Sequence, residues 1–208
     1  MTATSSRYCP MCQKAQKACI CHLIATIDCD IPVIILQHPS ETQKAIGTAK
    51  ILSLSLTNSM LFVGENFSEH QPLNDILANT NRHYVVIYPS DQAISIKDWQ
   101  LHNTHTDKIG LILIDGTWRK AYKIYQLSKN IQKLPCLALN AVEPSQYRIR
   151  KTSKATGLAT VEAGFHALSQ LTNDKQTFLP LMKTFVAMVN FQLQHLPPEL
   201  VQARYTKQ

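Results

Sequence analysis

The sequence predicts an α/β protein in which helices cover a mostly parallel sheet. Two observations point there. From residue 32 onward, short β-branched runs alternate with amphipathic stretches, the pattern of buried strands joined by helices. The 208 residues, 45% of them hydrophobic, are enough to bury a sizeable core in one main domain without disulfide staples.

The N-terminal segment comes first. Four of the six cysteines, Cys9, Cys12, Cys19 and Cys21, are spaced C-x2-C-x6-C-x-C, while Cys29 and Cys136 stand apart. Two short pairs can each present two thiolates to one soft ion at about 2.3 Å, the arrangement of a tetrahedral structural zinc site. A metal there replaces a core that so short a segment cannot build. Residues 1–30 are therefore expected to be a zinc knuckle and residues 31–208 the main domain.

Strands are expected at 32–37, 60–63, 84–88, 109–115 and 136–139. Helices are expected at 42–56, 73–79, 118–129, 160–171 and 179–195, the last closed by Pro197 and Pro198. Neither an internal repeat nor a low-complexity linker interrupts this order. The six glycines form no G-x-G-x-x-G, which argues against a dinucleotide site of the Rossmann type.

No stretch approaches the roughly 18 consecutive apolar residues of a membrane span, and the opening MTATSSRYCP lacks the charged and apolar halves of a signal peptide. The expected location is the cytoplasm, and no obligate protein partner is evident. The net charge of +7 is concentrated: residues 119–154 hold nine Lys/Arg against one acid, Glu143, so that segment alone carries +8. A polyanionic partner follows from such a patch.

Ligands of parallel sheets bind beyond the carboxyl ends of the strands. Three segments fall there: His38-Pro39-Ser40-Glu41, Pro89-Ser90, and Asp115-Gly116-Thr117-Trp118. The run Leu111-Ile112-Leu113-Ile114 delivers Asp115 onto a glycine turn just before a helix whose expected cap is Thr117. A carboxylate there faces the crevice, although an isolated Asp-Gly can equally serve only to shape a turn or cap a helix. Further on, Tyr147-Arg148-Ile149-Arg150-Lys151 alternates cations with other side chains, as a phosphate-gripping segment does. A hydroxyl-rich loop then enters a helix at Thr160, with Glu162 placed to answer either the helix dipole or a ligand.

In order, the Cys cluster, His38-Pro39-Ser40-Glu41, Tyr88-Pro89-Ser90, Ile114-Asp115-Gly116-Thr117-Trp118, Tyr147-Arg148-Ile149-Arg150-Lys151 and Gly157-Leu158-Ala159-Thr160-Val161-Glu162-Ala163 resemble the DTW-domain proteins, the tRNA-uridine aminocarboxypropyltransferases. The resemblance spans nearly the whole chain. It implies a SPOUT-like fold whose C-terminal trefoil knot holds S-adenosylmethionine in a bent pose. It also implies transfer of the 3-amino-3-carboxypropyl group to N3 of a tRNA uridine, in the variable loop, with 5′-methylthioadenosine leaving. Ala159 departs from the serine expected at that position in many relatives, which removes one hydroxyl contact.

The chemistry gives these residues roles. A sulfonium is already an activated leaving group, so aim decides which of its carbons is transferred. Uridine N3 is a poor nucleophile until its proton goes, which assigns Asp115 to the reacting centre as a base or as an electrostatic anchor. Pro89, Ser90, Ile114, Gly116, Thr117, Trp118, Ser153, Leu158 and Thr160 are expected to wrap the cofactor. Arg119, Lys120, Arg148, Arg150 and Lys151 are expected to hold the tRNA backbone. Two other functions remain open at this point. A SPOUT-like RNA methyltransferase would share cofactor and fold but release S-adenosylhomocysteine, and a non-catalytic zinc-bearing RNA-binding protein would need only the Cys cluster and the basic segment.

Overall fold

Val33–Gln37 is four apolar residues ending in a glutamine; it forms strand β1, with all five positions buried. In the computed structural model, which describes residues 7–44, 47–103, 108–140 and 157–195, five more strands join it: β2 (Ser59–Val63), β3 (His83–Ile87), β4 (Ile94–Ser95), β5 (Ile109–Asp115) and β6 (Cys136–Ala138). Their order is β2-β1-β5-β3-β6-β4, and every neighbouring pair is parallel. The mostly parallel α/β sheet predicted from the sequence is therefore present, with one short edge strand added.

Among the described residues, seven α-helices cover the sheet: α1 (Ala49–Ser55), α2 (Gln71–Leu77), α3 (Ile96–His102), α4 (Trp118–Leu127), α5 (Lys129–Gln132), α6 (Thr160–Thr172) and α7 (Leu179–Gln194). Strand side chains alternate between two cores. Val33, Ile35, Ile109, Leu111 and Leu113 pack with α1, α3, α6 and α7, whereas Ile34, Leu36 and Ile112 pack with α2, α4 and α5. Burial on both faces explains why the strands read as continuous apolar runs. The first core also takes in Cys9, Cys12, Ile20, Ile27 and Cys29, so the N-terminal segment is seated on the α7 side of the molecule. The Thr184 hydroxyl of α7 donates to the Leu23 carbonyl at 2.7 Å and strengthens that seat.

Three local differences from the sequence expectation have physical causes. The helix expected over 42–56 is only α1, preceded by a single 3-10 turn at Pro39–Glu41. Between them the chain turns, Gly47 N–H bonding to the Lys44 carbonyl at 2.9 Å. The helix expected over 118–129 ends at Leu127, because buried Ser128 turns the chain and its hydroxyl accepts the Phe67 amide at 3.0 Å. The third difference is α3, absent from the sequence reading. It is signed by Ser95, whose side chain caps Asp98 N–H at 3.0 Å while its hydroxyl donates to the Asp98 carboxylate at 2.6 Å, a start signal within one helical turn.

Gly110 in β5 makes room for a ring. A Cβ there would lie 2.3 Å from Tyr84 Cε1. Gly110→Ala is expected to destabilise the fold by about 1–3 kcal/mol through overpacking, measured as a lowered urea midpoint; an unchanged midpoint would mean that the Tyr84 ring relocates freely.

Candidate active site

From β1 the chain moves to the edge strand β2, and from β5 it moves the other way, to β6. Adjacent strands whose connections diverge leave a crevice at their carboxyl ends, the place where parallel sheets bind ligands. The two residues at that place are Gln37 and Asp115, the last of their strands and register partners. Strand alternation points both side chains to the α6 face. Gln37 Nε2 donates to Asp115 Oδ2 at 2.8 Å, and the Thr160 hydroxyl at the start of α6 donates to Asp115 Oδ1. Asp115 is only 6% exposed. Two neutral donors and the amino end of a 13-residue helix thus fix a buried carboxylate in one orientation.

The rim is built from the turns after β1, β2 and β5. His38 accepts the Ser40 amide on Nδ1 at 3.2 Å, which leaves the ring proton on Nε2 to bond Glu65 at 2.7 Å. Glu65 also meets Lys123 at 2.5 Å, and that hydrogen bond, with a smaller contribution from His38, holds the Glu65 carboxyl below its ordinary range. Glu41 meets Lys120 at 2.6 Å. Gly116 allows this close packing, since a Cβ on it would lie 3.0 Å from Lys120 Cβ. Thr117 occupies the cap position of α4, but its hydroxyl makes no capping bond.

On the other side of the crevice, Pro89 is exposed and the Ser90 hydroxyl is buried without a hydrogen-bond partner among the described residues. Ala159 is buried at the cap position of α6, with Glu162 Oε2 accepting its amide at 2.7 Å. Glu162 thus closes its own helix end, half of a capping box. Leu158 and Thr160 are half-buried beside it.

The four N-terminal cysteines converge. Their sulfur atoms all lie within 4.8 Å of one another, with Cys9 to Cys21 at 3.6 Å and Cys12 to Cys19 at 3.8 Å. Thiolates at about 2.3 Å from a tetrahedral ion would be separated by about 3.8 Å, so the cluster can hold one metal ion. The Cys12 and Met11 amides hydrogen-bond Cys9 and bring its thiol down to about 6, while burial and the neighbouring thiols push Cys21 up to about 12. Lys14 is buried beside the cluster; burial lowers its ammonium to about 8, and the nearby Cys12 acts in the opposite direction.

The DTW domain profile matches residues 6–193. The chain belongs to the DTW-domain family. It is 27% identical over 191 residues to tRNA-uridine aminocarboxypropyltransferase 2 of Macaca fascicularis, an alignment covering 90% of this chain and 64% of the relative. It is 29% identical over 166 residues to the protein of the same name in Drosophila melanogaster, covering 77% of this chain and 64% of the relative. It is 22% identical over 217 residues to tRNA-uridine aminocarboxypropyltransferase A of Arabidopsis thaliana, covering 91% and 82%. This DTW-domain chain thus spans about 64% of the length of the animal relatives. No solved structure matches it.

In this DTW-domain chain, the structure brings Asp115 and Thr160 into contact and sets Ile114, Gly116, Thr117 and Trp118 at the same strand end. Arg119 is exposed and makes no ion pair among the described residues, whereas Lys120 is compensated by Glu41. Arg148, Arg150, Lys151 and Ser153 lie outside the described residues. Gln37, His38, Glu65 and Lys14 were not singled out as individual site residues by sequence reasoning. Gln37 had a signal, a polar residue closing an apolar strand; the others become visible only through contacts distant in sequence.

Proposed function

We propose that this chain transfers the 3-amino-3-carboxypropyl group of S-adenosylmethionine to N3 of a tRNA uridine and releases 5′-methylthioadenosine. The observation that carries the reading is Asp115, an oriented, buried carboxylate at the switch point of a chain whose relatives are named for this reaction. The crevice suits the donor on two counts. A carboxylate at its floor favours a sulfonium cation, and the Ser90 hydroxyl, without a hydrogen-bond partner among the described residues, offers a polar group for a ligand to satisfy. The donor supplies an activated leaving group. Asp115 takes or orients the N3 proton of uridine, and Gln37 and Thr160 keep its oxygens in place. Pro89, Ser90, Ile114, Gly116, Thr117, Trp118, Ser153, Leu158 and Thr160 line the cofactor. Arg119, Lys120, Arg148, Arg150 and Lys151 engage the tRNA backbone.

The same proposal extends to the fold and to the metal. α6 lays Thr160 against Asp115, which with the parallel sheet supports a SPOUT-like domain at 31–208; the trefoil knot is what the family resemblance implies for it. Zinc in the knuckle of residues 1–30 has a structural role: its four thiolates leave no open position, and the buried Lys14 ammonium offsets their negative charge. The proposed compartment is the cytoplasm, where thiols stay reduced, and a cluster of four free cysteines supports it. Among the described residues, no helix is long and apolar enough to cross a membrane.

The test is to incubate the protein with unmodified tRNA and S-adenosylmethionine, digest the RNA, and weigh the nucleosides beside the spent cofactor. A uridine heavier by one aminocarboxypropyl unit, with methylthioadenosine, supports the reading. Methylated uridine with S-adenosylhomocysteine would replace it with RNA methylation. tRNA binding is expected to weaken steeply as salt rises. Arg119→Ala, or Arg148→Ala with Arg150→Ala, should reduce the slope of log affinity against log salt by about 1 for each phosphate no longer neutralised; a salt-independent affinity would contradict backbone recognition.

A further inference from the structure

α4 (WRKAYKIYQL) contains three cations and no acid. Trp118, Tyr122 and Tyr125 fall at i, i+4 and i+7, so they stand on one face of it. α4 meets the sheet through buried Ala121 and Ile124, and of this face Tyr125 joins that core. Trp118 is 39% exposed and Tyr122 57% exposed. Tyr125 is half-buried and stacks on Tyr88, which follows β3, with ring centroids 4.5 Å apart and planes 17° from parallel. The row therefore starts at the residue three past Asp115 in the chain, at the same strand end, and ends on Tyr88, just before Pro89-Ser90.

We propose that this face of α4, continuing from Trp118 at the cofactor end to the open ring of Tyr122, is a stacking surface for the unpaired bases adjoining the target uridine. The proposal rests on the tRNA-modifying reading above and adds the element that would hold the substrate's bases. Seven residues of helix rise about 10 Å, the length of roughly three stacked nucleotides. Stacking on aromatic rings holds bases without regard to sequence, and it needs cations nearby for the backbone. Arg119, exposed and without an ion pair among the described residues, stands next to Trp118 on α4. Trp, Tyr and Arg also anchor protein interfaces; the charge decides here, since three cations and no acid on α4 fit a polyanion. Tyr122 makes no hydrogen bond among the described residues and has no evident duty in the fold.

The test titrates unmodified tRNA and a short single-stranded RNA oligonucleotide onto wild type, Tyr122→Ala and Tyr122→Phe at several salt concentrations, with thermal melts of each. Tyr122→Ala should weaken both RNAs by about 5- to 100-fold with the salt slope unchanged, and Tyr122→Phe, which keeps the ring, should stay within about twofold of wild type. Equal affinity of Tyr122→Ala and wild type would overturn the surface. So would a lowered melting temperature for Tyr122→Ala, which would mean that the chain itself covers the face, or a reduced salt slope, which would mean that only phosphates are held. Wild type that binds no RNA would defeat the parent reading; wild type that modifies tRNA alongside an equally effective Tyr122→Ala would defeat the stacking surface alone.

Discussion

Asp115→Asn is expected to lower turnover by about 10²- to 10⁴-fold, the range a positioned base contributes, while tRNA affinity stays near that of wild type. The substitution keeps the shape of the side chain. Its carbonyl can still accept from Thr160, and Gln37 can turn its amide to accept where it now donates, so stability should change by about 1 kcal/mol or less. Asp115→Ala is a different experiment. It strands the Gln37 amide, which is 2% exposed, and should cost about 1–3 kcal/mol of stability besides activity. Gln37→Leu removes only the orienting donor, so it should reduce kcat less than Asp115→Asn does and leave tRNA affinity intact. Full turnover by Asp115→Asn would sink the carboxylate's role and turn attention to the His38–Glu65 pair on the same rim.

What was legible beforehand follows from how local each signal is. β5 could be read to the residue, because five apolar positions end in Asp-Gly and the carboxylate must sit where the sheet stops. α6 and α7 start where expected, and Asn173 closes α6 in a left-handed conformation that asparagine tolerates. β4 is two residues long and carries no period. The break in α4 depends on a Ser128 hydroxyl meeting an amide 61 residues away, and no local propensity contains that. The site divides in the same way. Asp115 could be named as a strand-end acid, but its partners Gln37 and Thr160 arrive from strands and helices 78 and 45 residues distant. Strand order decided which of them met.

Loss of one cysteine ligand should be the most damaging single change to stability. Cys12 is 1% exposed and packs in the larger core with Ile20 and Ile27, so a metal bound there braces α7 as well as its own loop. Wild type is expected to carry one zinc per chain, and Cys12→Ser none. Structural zinc in small peptides is worth on the order of 10 kcal/mol; in a chain with its own core, a loss of about 5 kcal/mol would lower Tm by roughly 10–20 °C at this size. A chelator should do the same to wild type, since the ion rather than the thiol carries the energy. Cys29→Ser and Cys136→Ser are the controls. Both thiols stand outside the cluster, Cys136 donating to the Tyr88 carbonyl at 3.0 Å, and both variants should keep their zinc. If metal analysis finds no zinc in wild type, and Cys12→Ser melts with it, the knuckle holds its shape by packing alone, and the left-handed turn at Gln13 that closes it becomes the feature to mutate.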